Sequence, residues 1–177
     1  MLLKWSPRFG HAPTRLACHD GDMSEQPHGG ETELSIRPSN GPTEYPLLKA
    51  IWRSAVNATH DFLSEADRRE IESNLEADYF PAVSLSVAEL DGRPAGFSGV
   101  LDGKLEMLFI DAGRRGGGIG TRLLRHAVKE HGIRSIDVNE QNVQAVEFYT
   151  HRGFRVIGRS ETDDAGRPYP LLHLQVS

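Results

Sequence analysis

The sequence predicts a mixed α/β domain, a sheet of about seven strands flanked by four helices, and three observations carry that prediction. Apolar residues recur with helical period in some stretches, and in others alternate or run together as strands do. Two Asp-Gly dipeptides, Asp91-Gly92 and Asp102-Gly103, sit between strand-like runs as tight hairpin turns. The 177 residues, 38% of them hydrophobic with a formal charge of −5, suit one domain around one core.

The elements follow in order. Leu34 and Ile36 alternate with polar residues until Pro38 stops a first strand. Leu47, Leu48, Ile51, Trp52 and Ala55 share a helical face that ends near Asn57. Ser64 ahead of Glu65, Ala66 and Asp67 resembles a capping box and opens a second helix to about Tyr79. Leu85, Val87 and Ala88 form a strand, Ala95 to Leu101 its return, and Leu105 to Ile110 a nearly all-apolar run expected of a central strand. Ile119, Leu123, Leu124, Ala127 and Val128 make a helix that stops at His131-Gly132. Ile136 and Val138 mark the next strand, and Asn142 caps a helix carrying Val143, Val146 and Tyr149 that stops at Arg152-Gly153. A last hairpin joins Phe154 to Thr162 with Leu171 to Val176 around Asp163-Asp164-Ala165-Gly166.

Residues 1–33 show no period and read as a poorly ordered extension before a single domain over 34–177. Lys4, Arg8 and Arg15 stand there without a nearby acid, as in a transit peptide. The segment lacks the apolar run of a secretory signal, and an upstream extension fits it better. The acidic balance argues against a nucleic-acid partner. No run of about 18 apolar residues offers a membrane span. The one cysteine, Cys18, fits a reducing cytoplasm.

Chemistry enters at the turn after the central strand. Strand, glycine-rich turn and helix in succession form an anion site, because unpaired N–H groups and a partial positive charge sit at the helix start. A Walker loop is excluded, since Gly113 and Gly118 fit but Ile119 stands where Lys is required. A dinucleotide fingerprint fails as well: Thr121 or Leu123 falls at its last glycine. What remains is Arg115-x-x-Gly118-x-Gly120.

These residues resemble the GCN5-related N-acetyltransferases, the GNAT family. The likeness rests on Leu108-Phe109-Ile110-Asp111, on the loop from Arg115 to Gly120, and on Asn142-x-x-Ala145-x-x-Phe148-Tyr149-x-x-x-Gly153-Phe154. A closer resemblance, to the YjaB-type bacterial acetyltransferases, rests on Ala58 through Ser64, Val138 through Asn142, Gly158-Arg159-Ser160 and Pro168 through Leu172. It covers the chain from about Leu34 onward. The resemblance implies a GNAT-like mixed, mostly antiparallel twisted sheet and acetyl-CoA as co-substrate. By the same resemblance Gly116, Gly117, Gly118, Ile119, Gly120 and Thr121 hold the pyrophosphate, with Arg115 as a phosphate partner and Asn142 also on the cofactor. Leu108, Phe109 and Ile110 lie along the pantetheine arm.

Acyl transfer to an amine needs a neutral nucleophile, a stabilised oxyanion and a proton for the departing thiolate. A lysine amine of pKa ~10.4 is neutral only about once in a few thousand at pH 7, a cost of roughly 4–5 kcal/mol. A base or a desolvating pocket must offset it. The resemblance gives Tyr149 the acid's role, although a tyrosine at helical spacing with Val146 also reads as core. Glu106 is the first choice of base, because strand alternation puts it on the face of Leu108 and Ile110. Asp137, which matches the base of a ribosomal-protein branch of the family, and His60 with Asp61 at the expected acceptor wall stay open. The acceptor itself also stays open: protein lysine, as the YjaB likeness suggests, a small amine, or none in a non-catalytic acyl-CoA sensor. The resemblance allows a homodimer through the terminal strands. No metal is expected, since His126 and His131 point to different sides of their helix and acyl transfer needs none.

Overall fold

A computed structural model describes residues 33–176. The expected extension lies outside the described residues except for Glu33, whose backbone N–H donates to Asp91 Oδ1 at 3.0 Å. Seven strands, β1 (Leu34–Pro38), β2 (Ser84–Leu90), β3 (Arg93–Leu101), β4 (Lys104–Ile110), β5 (Ser135–Asn139), β6 (Phe154–Ser160) and β7 (Leu171–Val176), form one sheet. Their order is β1-β2-β3-β4-β5-β7-β6. Only β4 and β5 pair in parallel. The four helices are α1 (Tyr45–Thr59), α2 (Glu65–Asn74), α3 (Ile119–His131) and α4 (Val143–Thr150).

The two Asp-Gly turns take the form that their residues favour. Asp91 and Gly92 have φ of 52° and 71°, and Asp102 and Gly103 have 49° and 74°, the left-handed pair whose twist suits a two-residue hairpin. Phe109 packs on Trp52 of α1, ring centroids 6.4 Å apart, and on Phe97 at 5.6 Å. Its neighbours Leu108 and Ile110 cluster with Ile119 and Leu123 of α3. Helices α1 and α3 therefore cover opposite faces of β4, as an apolar central strand requires.

Some details differ from the sequence reading. Helix α1 runs to Thr59 rather than Asn57, its last turn closed by the bond from His60 N to Val56 O. The second helical stretch reaches Tyr79, but over Leu75–Tyr79 it widens into a π turn, with Phe80 N bonded to Leu75 O at 2.8 Å. Leu75, Tyr79 and Phe80 are all buried there, which apolar spacing alone does not distinguish from an α turn. Strand β6 stops at Ser160 rather than Thr162, because Asp163 organises the connection: its Oδ1 accepts from Ala165 N and Arg167 N at 3.0 and 2.7 Å.

The sheet splits at its centre. Strands β4 and β5 pair only at Lys104↔Ser135 and Leu105↔Ile136 and then part. Opposite β3, Val100 faces Leu105 and Gly99 faces Met107, so Glu106 is the extra residue of a β-bulge that bends β4 beside the parting.

Candidate active site

The gap between β4 and α4 is a cleft of about 140 Å³. Leu108, Phe109 and Ile110 line it from the β4 side, beyond the last residue that β5 pairs. Asn142, Gln144, Ala145, Phe148 and Tyr149 line it from the start of α4 through its last turn. Ala55, Thr59 and His60 close it from α1. A strand edge without a strand beside it offers backbone groups to an extended ligand.

The glycine turn sits at the mouth. Gly116 and Gly118 have φ of 85° and 77°, which only glycine adopts without strain, and Gly118 is the N-cap of α3. No side chain caps this helix, so its first N–H groups stay open to an anion. Residues 115–118 are exposed, whereas Ile119 is buried and anchors the helix start. A Cβ on Gly120 would lie 3.4 Å from the Phe148 ring and 3.8 Å from Ile110 Cγ1, so the loop packs closely on the cleft wall. The turn is held from α1 as well, since Ala112 N donates to Ser54 Oγ at 3.0 Å. Arg115 donates to Gln144 Oε1 at 2.8 Å, linking the loop to α4. These features suit the pyrophosphate and the pantetheine arm of acetyl-CoA: a backbone-made anion cradle at one end and an open strand edge at the other.

Tyr149 is buried, with its ring edge-on to Phe148 and Phe154 at 5.0 and 5.9 Å. Among the described residues its hydroxyl has no hydrogen-bond partner, and burial pushes the phenol well above its ordinary pKa. Asn142 is buried and caps α4 by accepting from Ala145 N at 3.1 Å, as the sequence anticipated.

Glu106 corrects one expectation. Alternation does not run through a bulge, and Glu106 does not line the cleft with Leu108 and Ile110. It is buried, with Oε1 3.9 Å from Lys104 Nζ. Lys104 also pairs with Asp137. The other oxygen of Asp137 accepts from His173 Nδ1 at 2.7 Å, and His173 Nε2 lies 2.7 Å from Ser160 Oγ. Burial alone would raise the Asp137 carboxyl, but the bonds from Lys104 and His173 outweigh it and hold the group below its usual range. A carboxylate so fully engaged is a poor base. Asp61 is exposed and does not line the cleft, whereas its neighbour His60 does. The rings of His126 and His131 do not diverge as expected; their centroids are 6.0 Å apart near the end of α3. Among the described residues no group of three metal-ligating side chains comes together.

The sequence reading missed Thr59, Gln144 and Arg152. The Arg152 guanidinium stacks 3.7 Å above the Phe148 ring and donates to Thr121 Oγ1 at 2.7 and 3.1 Å, tying α4 to the first turn of α3. Its spacing of four from Phe148 was the available signal.

The parting of β4 from β5, the backbone-made anion turn and the buried phenol of Tyr149 thus meet around one cleft. Residues 53–169 match the family described as the acetyltransferase (GNAT) domain. The chain is 51% identical over 142 residues, 80% of its length and 97% of the other's, to the peptidyl-lysine N-acetyltransferase YjaB of Salmonella typhimurium. The Escherichia coli protein of the same name is 48% identical over 143 residues, covering 80% of this chain and 95% of that one. The solution structure of apo YjaB from Escherichia coli superimposes with a TM-score of 0.73 at 44% identity, over 81% of this chain and 97% of that one. The chain belongs to the GNAT acetyltransferase family. It is an acetyl-CoA-dependent N-acetyltransferase.

Proposed function

We propose that this enzyme acetylates lysine side chains of proteins, with Tyr149 as general acid and Glu106 as the base that removes the surplus amine proton through water. The observation that carries the acceptor is the likeness, near 50% identity over almost the whole of two peptidyl-lysine N-acetyltransferases. Acetyl-CoA supplies the activated acyl group. The chain must hold it, admit a neutral amine and move one proton on and one proton off. The cradle from Arg115 to Thr121 and the open edge of β4 hold the thioester. The amine nitrogen bonds to the acetyl carbon, the carbon–sulfur bond breaks, and Tyr149 gives its proton to the departing sulfur. A phenol is protonated at pH 7 in any case, and burial raises its pKa further. Glu106 stands on β4 two residues before Leu108, with Lys104 Nζ 3.9 Å from its Oε1. Dependence on acetyl-CoA supports a cytoplasmic location. The outer strand β6 exposes Val156 and Ile157 beside Val176, which supports a homodimer through this edge.

The test is acceptor-dependent CoA release with lysine peptides, Nα-free peptides and small amines, with products located by mass spectrometry. Nε-acetylated lysine as the preferred product is expected. Faster turnover of a small amine than of any peptide would move the acceptor class, and acetyl-CoA binding without any acceptor-dependent release would mark a sensor.

A further inference from the structure

His60 closes α1 as its C-cap and lines the cleft with only 7% of its surface exposed. Its ring packs on Phe62 and Phe109, centroids 5.2 and 6.5 Å away. Nδ1 lies 2.7 Å from Thr59 Oγ1. That hydroxyl has one hydrogen, which it donates to Ala55 O at 2.8 Å. At Nδ1 the hydroxyl therefore accepts and the imidazole donates. A neutral imidazole with its hydrogen on Nδ1 carries a bare lone pair on Nε2. Burial favours that neutral ring, pushing its pKa down to about 3. Nε2 is itself buried and has no partner among the described residues. Buried acceptors are almost always satisfied, and one left open beside a substrate cleft calls for a donor that the ligand brings.

The lone pair rules out one role and suits another. It cannot stabilise the thioester oxygen, which needs a donor. An amine nitrogen brings donors. We propose that His60 Nε2 accepts an N–H of the acceptor amine and so aims the lone pair of its neutral form at the acetyl carbon. A primary amine has two N–H groups, one for Nε2 and one for the water path toward Glu106. An ammonium lacks the free electron pair and is disfavoured in a cleft lined by Leu108, Phe109 and Phe148. Thr59, which the sequence reading passed over, then acts as a positioning residue: by accepting from Nδ1–H it fixes which nitrogen meets the amine. This inference rests on the acetyltransferase reading and adds a residue that touches the acceptor.

Two measurements on the full-length protein test it. Nitrogen-15 NMR of labelled histidine should show an unprotonated Nε2 on His60 at pH 7, and that resonance should shift when a lysine peptide is added to CoA-saturated enzyme. In steady-state kinetics His60→Phe, which keeps ring volume, should lower kcat/KM for the peptide about tenfold or more, mainly through KM, with acetyl-CoA affinity within about twofold of the parent. His60→Gln, whose amide oxygen reaches near the Nε2 position, should recover most of that loss, which a packing role would not predict. A hydrogen on Nε2 in the parent, or a folded His60→Phe enzyme with parent kcat/KM, overturns the assignment. If the parent releases no CoA with any amine, the acetyltransferase reading fails separately, and the NMR arm still decides whether His60 meets the amine.

Discussion

The two walls of the cleft are made by different means. The cofactor side, from β4 through the glycine turn into α3, is built from backbone: an unpaired strand edge, left-handed Gly116 and Gly118, and an uncapped helix start. The side where the acceptor is expected, from the α1–α2 junction to the β6–β7 connection, is built from side chains far apart in the chain. There Tyr169 accepts from Ser64 N at 3.0 Å and donates to Asp67 Oδ2 at 2.5 Å, and Arg167 pairs with Asp67, Glu70 and Asp163. A wall of backbone admits one shape of ligand whatever the side chains around it. A wall of side-chain pairs can be rebuilt residue by residue, so under the proposed function it is the side on which acceptor choice would be tuned.

The largest expected effects separate chemistry from both walls. Glu106→Gln should lower kcat/KM by ~10²–10⁴ and flatten its rise with pH, with acetyl-CoA affinity nearly unchanged. Asp137→Asn should act on stability instead, because that carboxylate is held by Lys104 and His173. If the two variants exchange phenotypes, the base lies on β5. Tyr149→Phe should cut kcat by roughly 10² or more at nearly constant acetyl-CoA affinity and melting temperature. A stable variant with parent turnover returns Tyr149 to the role of packing.

The next effects fall on one wall at a time. Gly120→Val adds methyl groups where a Cβ already stands 3.4 Å from Phe148, and calorimetry should find acetyl-CoA binding weaker by about tenfold, ~1.4 kcal/mol. Unchanged affinity in the folded variant would place the phosphates elsewhere. Tyr169→Phe removes one acceptor and one donor from the other wall. It should cost about 1–2 kcal/mol in denaturant unfolding and raise the peptide KM while leaving acetyl-CoA affinity alone. Equal losses at both ligands would mean that the walls are coupled.

The last effect is absent at neutral pH and is read only in acid. His60 is neutral when folded, with its pKa lowered to about 3 by burial, while in the unfolded chain it titrates near 6.5. Between those values the unfolded state binds the extra proton, so stability falls as pH drops from about 6.5 toward 3. The slope is about 1.4 kcal/mol per pH unit where the difference is a full proton. His60→Gln should lose that component, and parallel acid-unfolding curves for the two proteins would contradict it.

What was legible in the sequence is what local chemistry dictates. Asp-Gly needs a tight turn, the spacing Gly116 to Gly120 needs a backbone approached closely, Asn142 needs a helix to cap, and apolar period 2 or 3.6 writes strand or helix. Those rules gave the element order and the glycine turn ahead of α3; the role expected of Tyr149 came from the family resemblance instead. Tertiary structure decided the rest, because it depends on register and on partners distant in the chain. The bulge that removes Glu106 from the face of Leu108 and Ile110 arises only in the pairing of β4 with β3. Asp137 is engaged because β7 brings His173 beside it and the β4–β5 contact brings Lys104. The side of its ring that His60 leaves bare follows from where α1 ends, at Thr59, and from what then packs over it. A sequence states which groups a chain carries; only the packed sheet determines which of their hydrogen bonds remain to be made by a substrate.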